Sequence, residues 1–207
     1  EDVFATADMI VKVKEPQAQE IALLREGQIL FTYLHLAPDA AQTKGLLDSG
    51  CIGIAYETVT DHRGGLPLLA PMSEVAGRMS IQAGAHCLVM EPGGRGVLLG
   101  GVPGVPSGKV VVIGGGVVGT NAARMAVGLE CDVVIIDRSI QRMAQLDEMF
   151  RGRINTIYST KGNIEEQVID ADLVVGAVLV PGAAAPSLVT RDMIAKMKRG
   201  SVIVDVA

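Results

Sequence analysis

The stretch Lys109-Val110-Val111-Val112-Ile113-Gly114-Gly115-Gly116-Val117-Val118-Gly119 decides the fold. A β-branched run feeds directly into G-x-G-x-x-G, and the residues after it carry a helical apolar pattern. The next apolar run, Val133-Val134-Ile135-Ile136, ends on Asp137, 23 residues after Gly114. Each part of this arrangement has a physical use. Gly114 allows a tight turn, Gly116 lets the backbone approach a pyrophosphate, and Gly119 lets the helix pack close to the strand. The helix N-terminus offers unpaired N–H groups to phosphate oxygens. Asp137 stands where a carboxylate accepts hydrogen bonds from both ribose hydroxyls of an adenosine. NAD is the expected cofactor. A ribose 2′-phosphate would meet that carboxylate at ~4 Å, a repulsion on the order of 4 kcal/mol at an effective dielectric of ~20. Arg138 and Arg142 are near enough in sequence to offset it. The other ligand such a turn can take is the adenosine of S-adenosylmethionine.

Strands and helices alternate outward from this unit. After Lys109–Ile113 the pattern predicts a helix over 117–129, a strand over 132–136, a helix over 139–150 and a strand over 156–158. A helix near 164–169, a strand over 173–179, a helix over 191–197 and a strand over 201–206 follow. Nearly continuous Val/Ile strands between helices mean a parallel sheet covered on both faces, a doubly wound Rossmann architecture. Upstream, strands are expected over 8–13, 28–34 and 51–56, with helices from Pro16 to about Arg25 and over 38–48. Residues 71–90 read as one long, weakly amphipathic helix in which Gly77 and Gly84 mark close contact with another helix. Residues 93–108 form a Gly/Val/Pro loop. A boundary near Leu66–Pro71 divides a first segment (1–67), whose three strands are thin for a self-sufficient domain, from a dinucleotide-type α/β unit (68–207).

Composition narrows the class. With 49% hydrophobic and 20% charged residues the chain has enough apolar material for a real core, which excludes disorder. Eighteen Lys+Arg against 23 Asp+Glu give a formal charge of −5, without a basic cluster, so neither nucleic acid nor an anionic membrane is an expected partner. Three Phe, three Tyr and no Trp leave little for stacking on bases or sugars. The uncharged run Leu173–Thr190 contains Gly176, Pro181, Gly182 and Pro186, which would break a spanning helix, so the expectation is a soluble chain. No targeting leader is visible, and a cytoplasmic protein is expected. Cys51, Cys87 and Cys131 lack metal-site spacing and read as buried reduced thiols.

Two side chains outside the glycine turn could carry chemistry. His35 ends the strand over 28–34, and ligands collect at the carboxyl ends of parallel strands, where an imidazole can exchange protons near neutral pH. A histidine bonded to the next helix is the structural alternative. Lys14 lies just past the strand over 8–13 and could hold a carboxylate or polarise a carbonyl, although a surface lysine is the common outcome. His62 falls in a polar turn and reads as solvated. His86, inside the long helix, reads as a packed core residue.

Several motifs then point to a family. Lys12-Val13-Lys14-Glu15-Pro16, Phe31-Thr32-Tyr33-Leu34-His35-Leu36-Ala37, Ala55-Tyr56-Glu57-Thr58 and Leu68 through Gly77 resemble NAD-dependent alanine dehydrogenase, as do Gly93 through Gly104 and Gly176 through Gly182. The resemblance runs along the whole chain. It implies reversible oxidative deamination of L-alanine to pyruvate and ammonium by a cytoplasmic homo-oligomer, commonly a hexamer. It places the family's substrate-binding lysine on Lys14 and its acid/base histidine on His35. Cofactor contacts fall on Ser73, Val117 and Val118, Asp137, Arg142, Ser159, Val178, Leu179 and Val206, beside the turn glycines Gly114, Gly116 and Gly119. The family's substrate-binding arginine would lie upstream of Glu1 and its catalytic aspartate just past Ala207, so an internal piece of a longer enzyme is expected; Asp205, inside the last strand, does not take that role. No metal is expected. The rival readings are the NAD(H)-binding subunit of proton-translocating transhydrogenase, which does not keep the histidine motif, and a non-catalytic NAD-binding module.

Overall fold

The computed structural model describes residues 2–91, 93–179 and 187–206. Among these, the residues up to Pro71 form one compact unit and those from Met72 onward a second.

In the second unit, five parallel strands are ordered β6-β5-β4-β7-β8. They are β4 (Lys109–Ile113), β5 (Asp132–Asp137), β6 (Asn155–Tyr158), β7 (Leu173–Gly176) and β8 (Val202–Asp205). The chain leaves β4 toward β5 on one side and later returns to place β7 on the other, so the strand order reverses at β4, where the glycine turn begins. Alternation along each strand sorts the side chains. Val110, Val112, Val133, Ile135, Leu173 and Val175 enter one core with Ala122, Ala123 and Ala126 of α5 (Val117–Gly128) and Leu146 of α6 (Ile140–Phe150). That core also takes in Ile81 of α4 (Ala70–Cys87). Val111, Ile113, Val134, Ile136 and Val174 enter a second core with Ile164 and Val168 of α7 (Lys161–Asp170) and Met193 of α8 (Arg191–Lys196). Both faces are covered, which makes the sheet a doubly wound Rossmann-like fold.

The first unit has three parallel strands ordered β1-β2-β3: Met9–Val11, Ile29–Thr32 and Ile52–Ala55. Ile10, Leu30 and Leu34 pack with Leu24 and with Leu46 of α3 (Ala40–Ser49). Asp39 caps α3 by accepting from the Gln42 N–H at 2.8 Å. Gly45 brings α3 close to α2 (Ala18–Ile21): a Cβ there would stand 2.8 Å from Ile21 Cγ2.

Several expected features differ. The helix expected over 16–25 is only Ala18–Ile21. The chain then folds back because Arg25 and Gln28 turn their side chains to the Phe4 and Ala7 carbonyls at the end of α1 (Asp2–Thr6), an element absent from the expectation. The strand expected over 173–179 ends at Gly176, and the expected loop residues 180–186 lie outside those described. Gly77 does meet a helix, for its Cβ would lie 2.2 Å from the Val118 carbonyl oxygen, whereas Gly84 meets Leu173 of β7. Cys131 is buried, but Cys51 is half-buried and Cys87 exposed, and His86 faces solvent because its position lies off the α4 stripe of Gly77, Ser80, Ile81 and Gly84.

Candidate functional site

The glycine turn of the second unit is built by its neighbours. Gly114 has φ +105°, which favours glycine, and a Cβ there would come 2.7 Å from the Ala177 carbonyl oxygen and 3.0 Å from Val178 Cγ2. At Gly119 a Cβ would lie 1.8 Å from the Gly114 carbonyl oxygen, so only glycine lets α5 start this close to the strand. Gly116 differs: its Cβ would meet nothing within 4 Å. The α5 N-terminus therefore faces open space at the one turn position where a phosphate group has to approach.

Asp137 and Arg142 clamp the middle of this turn. Asp137 Oδ2 accepts from the Gly115 N–H at 2.7 Å, and Oδ1 accepts from the Ser139 N–H at 2.8 Å. Arg142 donates through Nε to the Gly115 carbonyl at 2.7 Å, through Nη2 to Thr120 Oγ1 at 2.7 Å and through Nη1 to Gln145 Oε1 at 2.9 Å. Both polar groups flanking Gly115 are thus held by side chains of opposite charge. The Ser159 N–H donates to the Asp137 carbonyl at 2.9 Å. Val206 donates its N–H to Gly176 at 2.9 Å, extending β8 past the end of β7. Ser73 lies one turn before Gly77 on α4 and is half-buried; Val117 and Leu179 are exposed. A cavity of about 250 Å³ beside the turn is lined by Glu74, Arg78, Asn121, Arg124 and Arg142 among others, a positive lining suited to phosphate oxygens.

In the first unit His35 and Lys14 both follow the carboxyl ends of strands. Backbone pairing persists past β1 and β2, with the Tyr33 N–H donating to Val13, and Thr32 Oγ1 donates to the Lys14 carbonyl at 2.9 Å. Lys14 is exposed. His35 has φ +45°, uncommon for a residue with a Cβ. Glu57, in the 3₁₀ turn Tyr56–Thr58, holds that backbone: its Oε1 accepts the His35 N–H at 2.7 Å, and the carboxylate also accepts the Leu34 N–H at 3.0 Å. The imidazole Nδ1 lies 2.5 Å from Glu15 Oε1. The Glu15 carboxyl is held below the usual range, first by its own backbone N–H and then, against the cost of burial, by the His35 and Lys14 charges and the His35 hydrogen bond. Glu15 and His35 border a cavity of about 550 Å³ walled by Ile21, Pro38, Gln42 and Gly45. The sequence reading missed Glu15, Glu57 and Thr120. A carboxylate beside Lys14 was the available signal for Glu15; nothing local points to Glu57, which lies 22 residues from His35.

Comparison with known proteins supplies the lineage. Residues 80–207 match the family model described as alanine dehydrogenase/PNT, C-terminal domain, and residues 1–76 match the N-terminal domain model of the same family. The chain belongs to the alanine dehydrogenase/PNT family. A curated alanine dehydrogenase from Halomonas elongata is 63% identical over 201 residues, covering 97% of this chain and 54% of the relative. A solved L-alanine dehydrogenase superposes with a TM-score of 0.86 at 53% identity, over 97% of this chain and 56% of that one. A solved transhydrogenase from Sinorhizobium meliloti gives a TM-score of 0.73 at 26% identity, over 96% and 58% of the two chains. The chain spans about half the length of the curated relatives it matches. Among the described residues no helix is long and apolar enough to cross a membrane, and no cluster of metal-ligating side chains occurs.

Proposed function

We propose that the full-length protein catalyses the reversible reaction L-alanine + NAD⁺ + H₂O ⇌ pyruvate + NH₄⁺ + NADH + H⁺. The observation that carries this reading is the His35 site, an exposed imidazole fixed at a strand end inside a chain 63% identical to a protein named alanine dehydrogenase. The residues present fit NAD. Open space over Gly116 admits the pyrophosphate, and Asp137 is anchored by two backbone N–H groups while keeping further acceptor capacity for ribose hydroxyls. Arg142 is committed to Gly115, Thr120 and Gln145, which weakens it as an offset for a 2′-phosphate and supports NAD over NADP.

When bound, the cofactor supplies the hydride acceptor for the substrate Cα. Two residues of this chain act on the substrate. Lys14 pairs with the substrate carboxylate and steadies negative charge on the pyruvate oxygen. As water adds to the iminium carbon, the C–O bond forms, the C=N π pair moves to nitrogen, and the proton lost from oxygen passes to His35. His35 then returns that proton to the nitrogen, and the C–N bond breaks with its electron pair leaving on ammonia. The carbinolamine O–H pair becomes the C=O π bond, and the hydroxyl proton passes through His35 to the ammonia, giving ammonium. Residues 1–67 would serve as part of the substrate domain and 68–207 as the NAD-binding domain. Gly114, Gly116, Val117, Val118 and Gly119 would bracket the pyrophosphate, with Ser73, Asp137, Arg142, Ser159, Val178, Leu179 and Val206 around the rest of the cofactor. Likeness to the family supports a cytoplasmic homohexamer.

The test is NADH formation from alanine by the full-length protein, followed at 340 nm, with His35→Ala beside it. Turnover in the wild type and its loss in His35→Ala, with NADH affinity kept, supports the reading. Tight NADH binding with no turnover in the wild type would sink it in favour of a non-catalytic module.

A further inference from the structure

We infer that Glu15 is a positioning residue for His35, fixing which imidazole nitrogen exchanges the proton; this rests on the alanine dehydrogenase reading above. The geometry is specific. Nδ1 of His35 lies 2.5 Å from Glu15 Oε1. An ionised carboxylate only accepts, so Nδ1 must carry the hydrogen. In the neutral ring Nε2 then holds the lone pair, and Nε2 is the atom left to take a proton from water. When it does, the imidazolium keeps its Nδ1–H on Glu15, which itself takes no proton.

Three features accompany the pairing. The Glu15 carboxyl is kept ionised below the ordinary range, so the acceptor persists wherever the enzyme would work. Glu57 fixes the Leu34 and His35 N–H groups, holding His35 at positive φ and thereby delivering the ring to Glu15. The pair also borders the cavity of about 550 Å³, which places it where a small ligand has room. The charged groups around the ring are Glu15, Lys14 on the same loop, Glu57 beneath the backbone, and Asp39, whose carboxylate is committed to capping α3.

The decisive variant is Glu15→Gln in the full-length protein. Its carboxamide can accept from Nδ1–H or donate to a bare Nδ1, so the choice of tautomer is released while size is kept. The expected result is a fall in kcat for alanine of about 10-fold or more with NADH affinity unchanged, and activity partly restored in Glu15→Asp. A second readout needs no turnover. Carbethoxylation of His35 by diethyl pyrocarbonate, followed by mass spectrometry of its peptide, should slow in Glu15→Gln, whereas mere loosening of the loop would expose the ring and speed it. Wild-type kcat and labelling rate in Glu15→Gln would overturn the inference while leaving the proposed reaction standing. An inactive wild type would instead sink the reaction, and the labelling contrast would still decide the pairing. Should Glu15→Gln fail to fold, Glu15→Asp against Glu15→Asn makes the same comparison of charge with no charge at one side-chain length.

Discussion

The two parallel sheets are made from similar residues but are covered differently. In the five-stranded sheet, successive residues such as Val110 and Val111 are both fully buried, one in each core. In the three-stranded sheet, among the described residues, one face packs into a core. On the other, Met9, Val11, Ile52 and Ile54 are exposed in register across the strands, with half-buried Ile29 and Phe31 between them. The means of fixing the site residues follow this difference. The second unit sets the two ends of its turn by close packing, at Gly114 and Gly119 where any Cβ would collide, and ties only its middle with the charged Asp137 and Arg142. The first sets His35 with carboxylates, Glu57 on the backbone and Glu15 on the ring. Packing suits a rigid cradle for a large cofactor, and charge suits a residue that must change protonation.

The largest expected effect breaks the packed side. Gly119→Ala forces a Cβ to within 1.8 Å of the Gly114 carbonyl oxygen, and backbone must move. Urea unfolding should show a loss on the order of 3 kcal/mol, and NADH fluorescence should show no binding. Gly116→Ala is the contrast. Its Cβ meets nothing within 4 Å, so stability should hold while NADH binding is lost. Equal destabilisation by the two variants would end the distinction between a glycine needed for packing and one needed for the ligand.

The next pair tests coverage. Val111→Thr puts a hydroxyl into a fully buried core and should cost about 1–3 kcal/mol by the same melts. Val11→Thr, on the exposed face of the small sheet, should stay within about 0.5 kcal/mol. A similar cost at both positions would mean that the face is covered in solution.

How much of this was legible depends on how local each cause is. The strand, turn and helix around Gly114 are specified by neighbours within a dozen residues, and the sequence pattern carried them almost to the residue. The helix expected from Pro16 failed because Arg25 and Gln28 are drawn to carbonyls about 20 residues upstream, and no periodicity encodes that. His35 was visible as a polar residue at a strand end. The contacts that fix it were not, because Glu57 is brought to it only by the pairing of β2 with β3. Cys87 was misplaced because an apolar neighbourhood in sequence says nothing of which helix face a residue takes.

Glu57→Gln tests the charged side with a smaller effect. Its amide can still accept from Leu34 and His35, but without the charge that strengthens those bonds. The first unit should lose about 1 kcal/mol, read by urea unfolding, with no change in NADH affinity. A loss of NADH binding as well would show that the two means of fixing the site are not separate.

The smallest effect is the acid dependence of two ion pairs, one in each unit. Glu20 in the first unit is held below its ordinary value of 4.5, first by its hydrogen bond from Lys12 at 2.5 Å. Asp170 in the second is held below 3.8, first by Lys109 and then by Lys198. Both folded-state values are depressed, so the unfolded chain binds protons more readily. Each contribution is complete above the unfolded value and is lost as pH falls through the folded one. Stability from these pairs should therefore be flat from neutrality down to about pH 5, then decline first in the unit holding Glu20 and at lower pH in the unit holding Asp170. Lys12→Met should shrink the first decline, leaving the parts owed to the Gln17 N–H on Glu20 and to Glu15, and should not touch the second. The Asp170 side chain is 60% exposed against 26% for Glu20, so added salt should weaken the second decline more than the first. The salt ordering follows from exposure: mobile ions reach the more exposed carboxylate of Asp170 and screen it more fully than Glu20.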